Sequence, residues 1–424
     1  MMRLLILGLA GVLAGCMLLD VKEQQAKLQA ACTIKGTARS LQGDDRAIVV
    51  VLLRRHEAAE KLAGTWEIVS HFVLERAGRF AFSVKDGKGT FSVGAFDDLD
   101  RDLVLEPGES FIADKDLVTC SPGKAFDSFA LSIPATAERR ATSLDVTSLQ
   151  KQSLTEQTSA TLGQMTAVGE LTSLAEDMFS QEVAASGMWR PFDFLVDGHA
   201  GVWFLETYDP NRIPVLFVHG INGTPASFND LIRNLDRKRF QAWVYYYPSG
   251  LHLDVIADHL NETMTKLQVR HRVTRFAVVA HSMGGLVSRG FILRHAEMSR
   301  TSRIPLFFTI STPWGGHRAA ESGVNTSPIV VDVWRDMVPG SAYQQSVFAR
   351  PLPAELQHHM AFTFQRKSTS FGESDDQGVT VASQLVVPAQ SNAVRMYGFD
   401  DTHVGVLSNP QLSKLLNELL AKSF

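Results

Sequence analysis

The 424-residue chain has few cysteines, little net charge and no internal repeat, and each shortage removes a class of function. Its 41 Lys and Arg residues nearly balance 45 Asp and Glu residues, mixed along the chain. There is thus no electrostatic footprint for nucleic acid and no polybasic patch for an anionic membrane. The apolar and charged fractions, 45% and 20%, are ordinary. They exclude a disordered chain and leave room for two or three domains with real cores. Of the three cysteines, Cys32 and Cys120 lack the neighbouring histidine and acid that would activate a nucleophilic thiol.

What is present begins at the N-terminus. MMRLLILGLAGVLAGC has a basic start at Arg3, an apolar core from Leu4 to Leu13, and small residues before Cys16. This is the layout of a secretory signal peptide over 1–15, too short to span a bilayer as a lasting helix. Leu13-Ala14-Gly15-Cys16 resembles the lipobox of bacterial lipoproteins. The resemblance implies acylation of Cys16, a tether over 16–31 and membrane anchoring, each buried methylene contributing about 0.8 kcal/mol. Met17 follows in place of aspartate, which by the same resemblance points to the outer membrane, facing the periplasm or the cell surface. A plain signal peptide with an incidental cysteine is the alternative. Export places Cys32 and Cys120 where a disulfide persists, and the sequence leaves their pairing open.

From 32 to 134 short β-rich runs alternate with turns: AIVVVLLRR, WEIVSHFVLE, GRFAFSVKDG, GTFSVGAF and FALSIP. The spacing predicts a small antiparallel sandwich-like domain. FAFSVKDGKGTFSVGAFDDLDRD resembles the small transthyretin-like or carboxypeptidase-regulatory-like sandwiches. Within it, Asp98, Asp100, Asp102, Glu106 and Glu109 fall at positions one, three, five, nine and twelve of an EF-hand-like loop, a candidate Ca²⁺ site. Leu103 stands where that loop has glycine, and the flanks read as strands; a solvated acidic turn is the other reading. An ion here would stiffen a loop and take no part in chemistry.

Residues 135–187 are Ser/Thr/Gln-rich with patchy helical periodicity at Leu171, Leu174, Ala175 and Met178, as in a partly helical connector. Residues 188–424 then alternate apolar strand-like runs with helical ones: RIPVLFVHG, FQAWVYYYP, RFAVVA and IPLFFTIS. Between them Leu253, Ile256, Ala257, Leu260, Met264 and Leu267 share one helical face. Buried strands separated by helices predict an α/β fold, a doubly wound, mostly parallel sheet with its chemistry at the carboxyl ends of the strands.

FAVVAHSMGGLVSRG lies at one such end, with Ser282 on the turn from a buried strand into a helix. Small residues must flank it by two positions on each side, and Ala280 and Gly284 do. In PVLFVHGINGTPASF a strand ends at His219-Gly220 and a helix starts near Thr224-Pro225, so the turn between can aim an amide outward. Met283 and Ile221 are the candidate oxyanion-hole donors. His219 lies on the wrong strand for a general base and reads as a structural hydrogen-bonding residue.

These segments, with FTISTPWGGHRAA, resemble the α/β-hydrolases and among them the bacterial lipases and esterases. The resemblance implies an acid and a histidine after the serine, each on a loop behind a late strand. GESDDQGVTVASQL matches the acid segment, with Asp376 aligning better than Asp375; a surface turn and a calcium ligand are the other readings of that pair. AVRMYGFDDTHVGVLSNP supplies His403, while Asp400 and Asp401 follow its strand and are disfavoured by that order. His271, His358 and His359 fit solvated or helix-end positions. The implied enzyme is a membrane-anchored serine hydrolase of lipid or acyl esters that requires no cofactor, with Ca²⁺ left open. Residues 314–356 are long enough for a cap or lid, although Trp334, Met337 and Val338 suit helix core equally. An acyltransferase or thioesterase with the same triad, and a non-catalytic binding lipoprotein with a relict hydrolase domain, are the alternatives.

Overall fold

Period-two alternation builds the N-terminal unit. In β1 (Cys32–Ser40) Cys32, Ile34 and Ala38 point inward, while Lys35, Thr37 and Arg39 point to solvent. The computed structural model describes residues 18–43, 46–56, 66–85, 87–136, 144–146, 165–299, 301–365 and 373–424. The signal segment 1–15 and Cys16 lie outside the described residues. After β1 come β2 (Ala47–Arg55), β3 (Trp66–Leu74), β4 (Gly78–Val84), β5 (Gly89–Asp98), β6 (Val104–Leu105), β7 (Phe111–Ala113), β8 (Val118–Cys120), β9 (Ala125–Ile133) and β10 (Leu144–Asp145). One sheet has the order β4-β1-β9; the other runs β3-β2-β5-β7 with β8 also paired to β5. The expected antiparallel pairing holds except at β1 and β9, which run parallel. Cys32 and Cys120 are joined as a disulfide with Cα atoms 5.8 Å apart, linking β1 of one sheet to β8 of the other.

The C-terminal unit is an eight-stranded sheet: β11 (Ala167–Leu171), β12 (Gly201–Phe204), β13 (Ile213–Val218), β14 (Phe240–Tyr246), β15 (Arg275–His281), β16 (Arg303–Ile310), β17 (Gln357–Phe364) and β18 (Arg395–Asp400). Their order is β11-β12-β14-β13-β15-β16-β17-β18. β12 runs antiparallel to β14 and β11 parallel to β12; the other six strands are parallel. β14 is buried along its whole length, and β13 and β15 are buried beyond their first residues, so all three need apolar side chains on both faces. The helix Leu253–His271 buries the predicted face and ends at Arg272, in the left-handed conformation.

Two expected segments behave differently. The connector 135–187 contributes β11, because Ala167 and Val168 are buried and pair with Gly201 and Val202. The helix Gln181–Trp189 also belongs to this unit. The tether 16–31 is helical over 18–30 and docked: Val21 enters the C-terminal core. Gln25 Nε2 donates to Val330 O at 3.0 Å and Asp332 Oδ1 at 2.7 Å, and Asp193 N donates to Gln24 Oε1 at 2.9 Å.

The two units also touch directly. Buried Glu75 accepts from the hydroxyls of Ser299 and Thr301 at 3.0 Å, and Val269 of the helix Leu253–His271 packs with Val49, Val51 and Leu103. Among the described residues, no helix is long and apolar enough to cross a membrane.

Candidate active site

Ser282 follows the buried strand β15 and precedes the helix Met283–Met298. Its backbone, φ 55° and ψ −132°, is strained for a residue with a side chain, as expected of a serine pushed out on a sharp strand-to-helix turn. The turn crowds its neighbours. A Cβ on Gly284 would lie 2.4 Å from the carbonyl oxygens of Val218 and His219, and one on Gly220 would lie 2.7 Å from Ser282 Cβ. Ala280, the small residue on the other side, is fully buried.

His403 lies on the turn after β18, and its Nε2 is 2.9 Å from Ser282 Oγ. Its Nδ1 is 2.8 Å from Asp376 Oδ2, and its backbone N–H donates to Asp376 O at 2.8 Å. Three loops behind β15, β17 and β18 thus bring Ser282, Asp376 and His403 together. Asp376 is fully buried, and its Oδ1 accepts from the amides of Gly378 at 2.9 Å and Val379 at 2.6 Å. Oδ2 accepts from Thr363 Oγ1 and from Gln384 Nε2 at 3.2 Å. Burial alone would raise this carboxyl, but hydrogen bonds and charge from His403, with those from Thr363 and Val379, hold it below the usual carboxylate range. Asp375 instead turns its Oδ1 to the Gln377 amide, and Asp401 accepts from Thr402 N and Asn409 Nδ2.

The amides of Ile221 and Met283 have no acceptor among the described residues, and Met283 N is the first of the helix Met283–Met298. The loop carrying Ile221 is braced on both sides: Asn222 N donates to Ser249 Oγ at 2.9 Å, Gln181 Nε2 to Asn222 O at 2.8 Å, and Thr224 Oγ1 to Phe179 O at 2.7 Å. His219 stacks on Tyr247 with centroids 4.1 Å apart and donates from Nδ1 to Gly220 O. Burial pushes its pKa down to about 4, which suits a neutral structural residue.

Side chains that the motifs did not single out complete the surroundings. His281 Nε2 donates to His403 O at 2.8 Å, and His317 Nε2 to Gly378 O at 2.7 Å. Thr363 and Gln384 reach Asp376 from β17 and the helix Val381–Gln384. Nothing in their local sequence marks them; only the pairing of distant loops does. His358 and His359 are not solvated, because both lie buried in β17, whereas His271 does end its helix. The segment 314–356 holds three short helices, Arg318–Thr326, Asp332–Met337 and Ala342–Phe348. In them Val333 and Met337 are core, and Trp334 meets Trp189 edge-on.

In the N-terminal unit the carboxylates of Asp98, Asp100 and Asp102 converge within 4.8 Å. Glu109 is engaged elsewhere, accepting from the amides of Leu99 at 2.7 Å and Glu106 at 3.0 Å. Leu103, at the glycine position, adopts φ 65° and makes the sharp turn itself. Three of the four candidate carboxylates are thus gathered, and Glu109 is held by amides of its own loop.

Residues 250–343 match a family model described as "Putative serine esterase (DUF676)"; the match holds Ser282 but stops before Asp376 and His403. No curated protein matches the chain significantly. Among solved structures, it is similar to Bacillus licheniformis lipase BlEst2 in mature form at 16% identity and TM-score 0.40, over 50% of this chain and 94% of that one. Aspergillus fumigatus lipase B gives 14% and 0.41, over 54% and 57%. The phospholipase PlaB from Legionella pneumophila gives 15% and 0.35, over 41% and 45%. At these values the likenesses carry no inference about substrate.

Proposed function

We propose that this chain, a member of the α/β-hydrolase superfamily, is a serine ester hydrolase that cleaves lipid or acyl esters at a membrane to which acylated Cys16 anchors it. One observation carries the reading: Oγ of Ser282, both nitrogens of His403 and the carboxylate of Asp376 form an unbroken line of hydrogen bonds. The description of the matched family, a serine esterase, agrees with it.

In the first step Ser282 Oγ attacks the ester carbonyl and its proton passes to His403 Nε2. Asp376, kept ionised by its donors, holds Nδ1–H in place and stabilises the imidazolium. The amides of Ile221 and Met283 face the developing oxyanion, one such donor being worth roughly a hundredfold to a thousandfold in rate. His403 then protonates the departing alkoxide, and water, deprotonated by the same imidazole, releases the acid and regenerates the serine. Two apolar side chains, Ile221 and Val404, are exposed beside the oxyanion loop and His403, which supports an apolar acyl group at the entrance.

The test is fluorophosphonate labelling of the protein beside Ser282→Ala, with hydrolysis of p-nitrophenyl esters of increasing chain length. Wild type labels and the variant does not, with esterase activity lower by roughly a thousandfold or more. An unlabelled wild type overturns the enzyme, and a strict preference for short chains overturns only the lipid substrate. Incorporation of an alkyne fatty acid into the full chain, lost in Cys16→Ser, tests the anchor.

A further inference from the structure

We propose that His281 is a positioning residue that holds His403 in line with Ser282; the inference rests on the serine hydrolase reading. His281 closes β15 immediately before the nucleophile. Its Nε2–H donates to the carbonyl of His403 at 2.8 Å, with ring centroids 4.8 Å apart. The N–H of His403 goes to Asp376 O at 2.8 Å. The peptide groups on the two sides of His403 are thus tied to different loops, one to the acid loop and one to the nucleophile strand. This matters because His403 sits on a turn between β18 and the short 3-10 helix Gly405–Ser408, with exposed Val404 next to it. Its ring must meet Ser282 and Asp376 together, and a misplacement of about 1 Å is enough to lose two orders of magnitude in rate.

The bond needs a proton on Nε2, which the neutral Nε2–H tautomer supplies and the Nδ1–H tautomer does not. The groups facing it are His403, Asp376 and His219. Burial, reinforced by charge on His403, pushes its pKa down to about 3. His281 therefore stays neutral while His403 gains and loses a proton, and no second cation opposes the imidazolium.

The test compares His281→Leu, which keeps bulk without a donor, with His281→Gln, whose amide can reach the same carbonyl. The leucine variant is expected to lose about 10- to 100-fold in kcat and in labelling rate. Its KM stays within roughly threefold of wild type. The glutamine variant recovers most of the rate. A folded leucine variant with unchanged rate overturns the proposal, as does a glutamine variant as slow as the leucine one. Should the leucine variant not fold, ¹⁵N-histidine NMR of the wild type decides: His281 remains one neutral Nε2–H tautomer from about pH 5 to about pH 9. Titration in that range, or the Nδ1–H tautomer, overturns it. A wild type that resists fluorophosphonate while keeping that tautomer overturns the enzyme reading and not the bond.

Discussion

Asp376 shows how a buried charge is kept. Its carboxylate accepts from His403, Thr363, Gln384 and the amides of Gly378 and Val379, so ionisation survives burial. Asp376→Asn presents a carboxamide to these donors and no longer fixes the His403 tautomer; we expect kcat to fall by about 10⁴ with little change in KM, measured by ester hydrolysis. The same residue carries a pH signature. Because its folded pKa lies below the unfolded value of about 3.9, its stabilisation is complete above that value and is lost as pH falls through the folded one. The Tm gap between wild type and Asp376→Asn should therefore stay constant at neutral pH and close only below about pH 4. Thr363→Val removes a hydroxyl that meets both Asp376 and Ser311, and should destabilise by about 1–3 kcal/mol in denaturant titration.

The elements differ in how plainly their sequences announce them. β13 to β16 read directly, because central parallel strands are long apolar runs, and the place of Ser282 behind one of them is legible with them; His403, behind the mostly exposed β18, is legible only through the resemblance. β12 has four residues and β11 carries Gly169 and Glu170, so neither rises above its surroundings; only their pairing makes them strands. The helix 18–30 was illegible for another reason, since its polar face is satisfied by Asp193, Val330 and Asp332, far away in sequence. His281, Thr363 and Gln384 are unmarked in the sequence for the same cause, their partners lying on distant loops. At this scale the disulfide gives a separable prediction. It closes a separation of 88 residues between the two sheets of the N-terminal unit. Its removal in a Cys32→Ala, Cys120→Ala double variant should destabilise that unit by about 2–4 kcal/mol in thermal melts. Fluorophosphonate labelling at moderate temperature should be unchanged, because neither cysteine touches Ser282, Asp376 or His403.

Across the whole molecule, buried histidines set the response to acid. His219, His259 and His295 are pushed down to about 4, and His281 and His358 to about 3, in each case chiefly by burial. The unfolded chain protonates these groups near pH 6.5, so as pH falls from there it takes up protons that the folded chain refuses. Stability is then full above about pH 6.5 and declines toward pH 4, and the Tm recorded at successive pH values should fall across that window. A flat profile would contradict the burial of these rings. The docked helix 18–30 has a different bearing on the whole. With Cys16 acylated as proposed, only Met17 separates the lipid from a helix fixed to the catalytic body. Two residue steps reach at most about 7 Å, roughly the depth of one headgroup layer. An enzyme so anchored would be held within reach of the leaflet that carries its lipid.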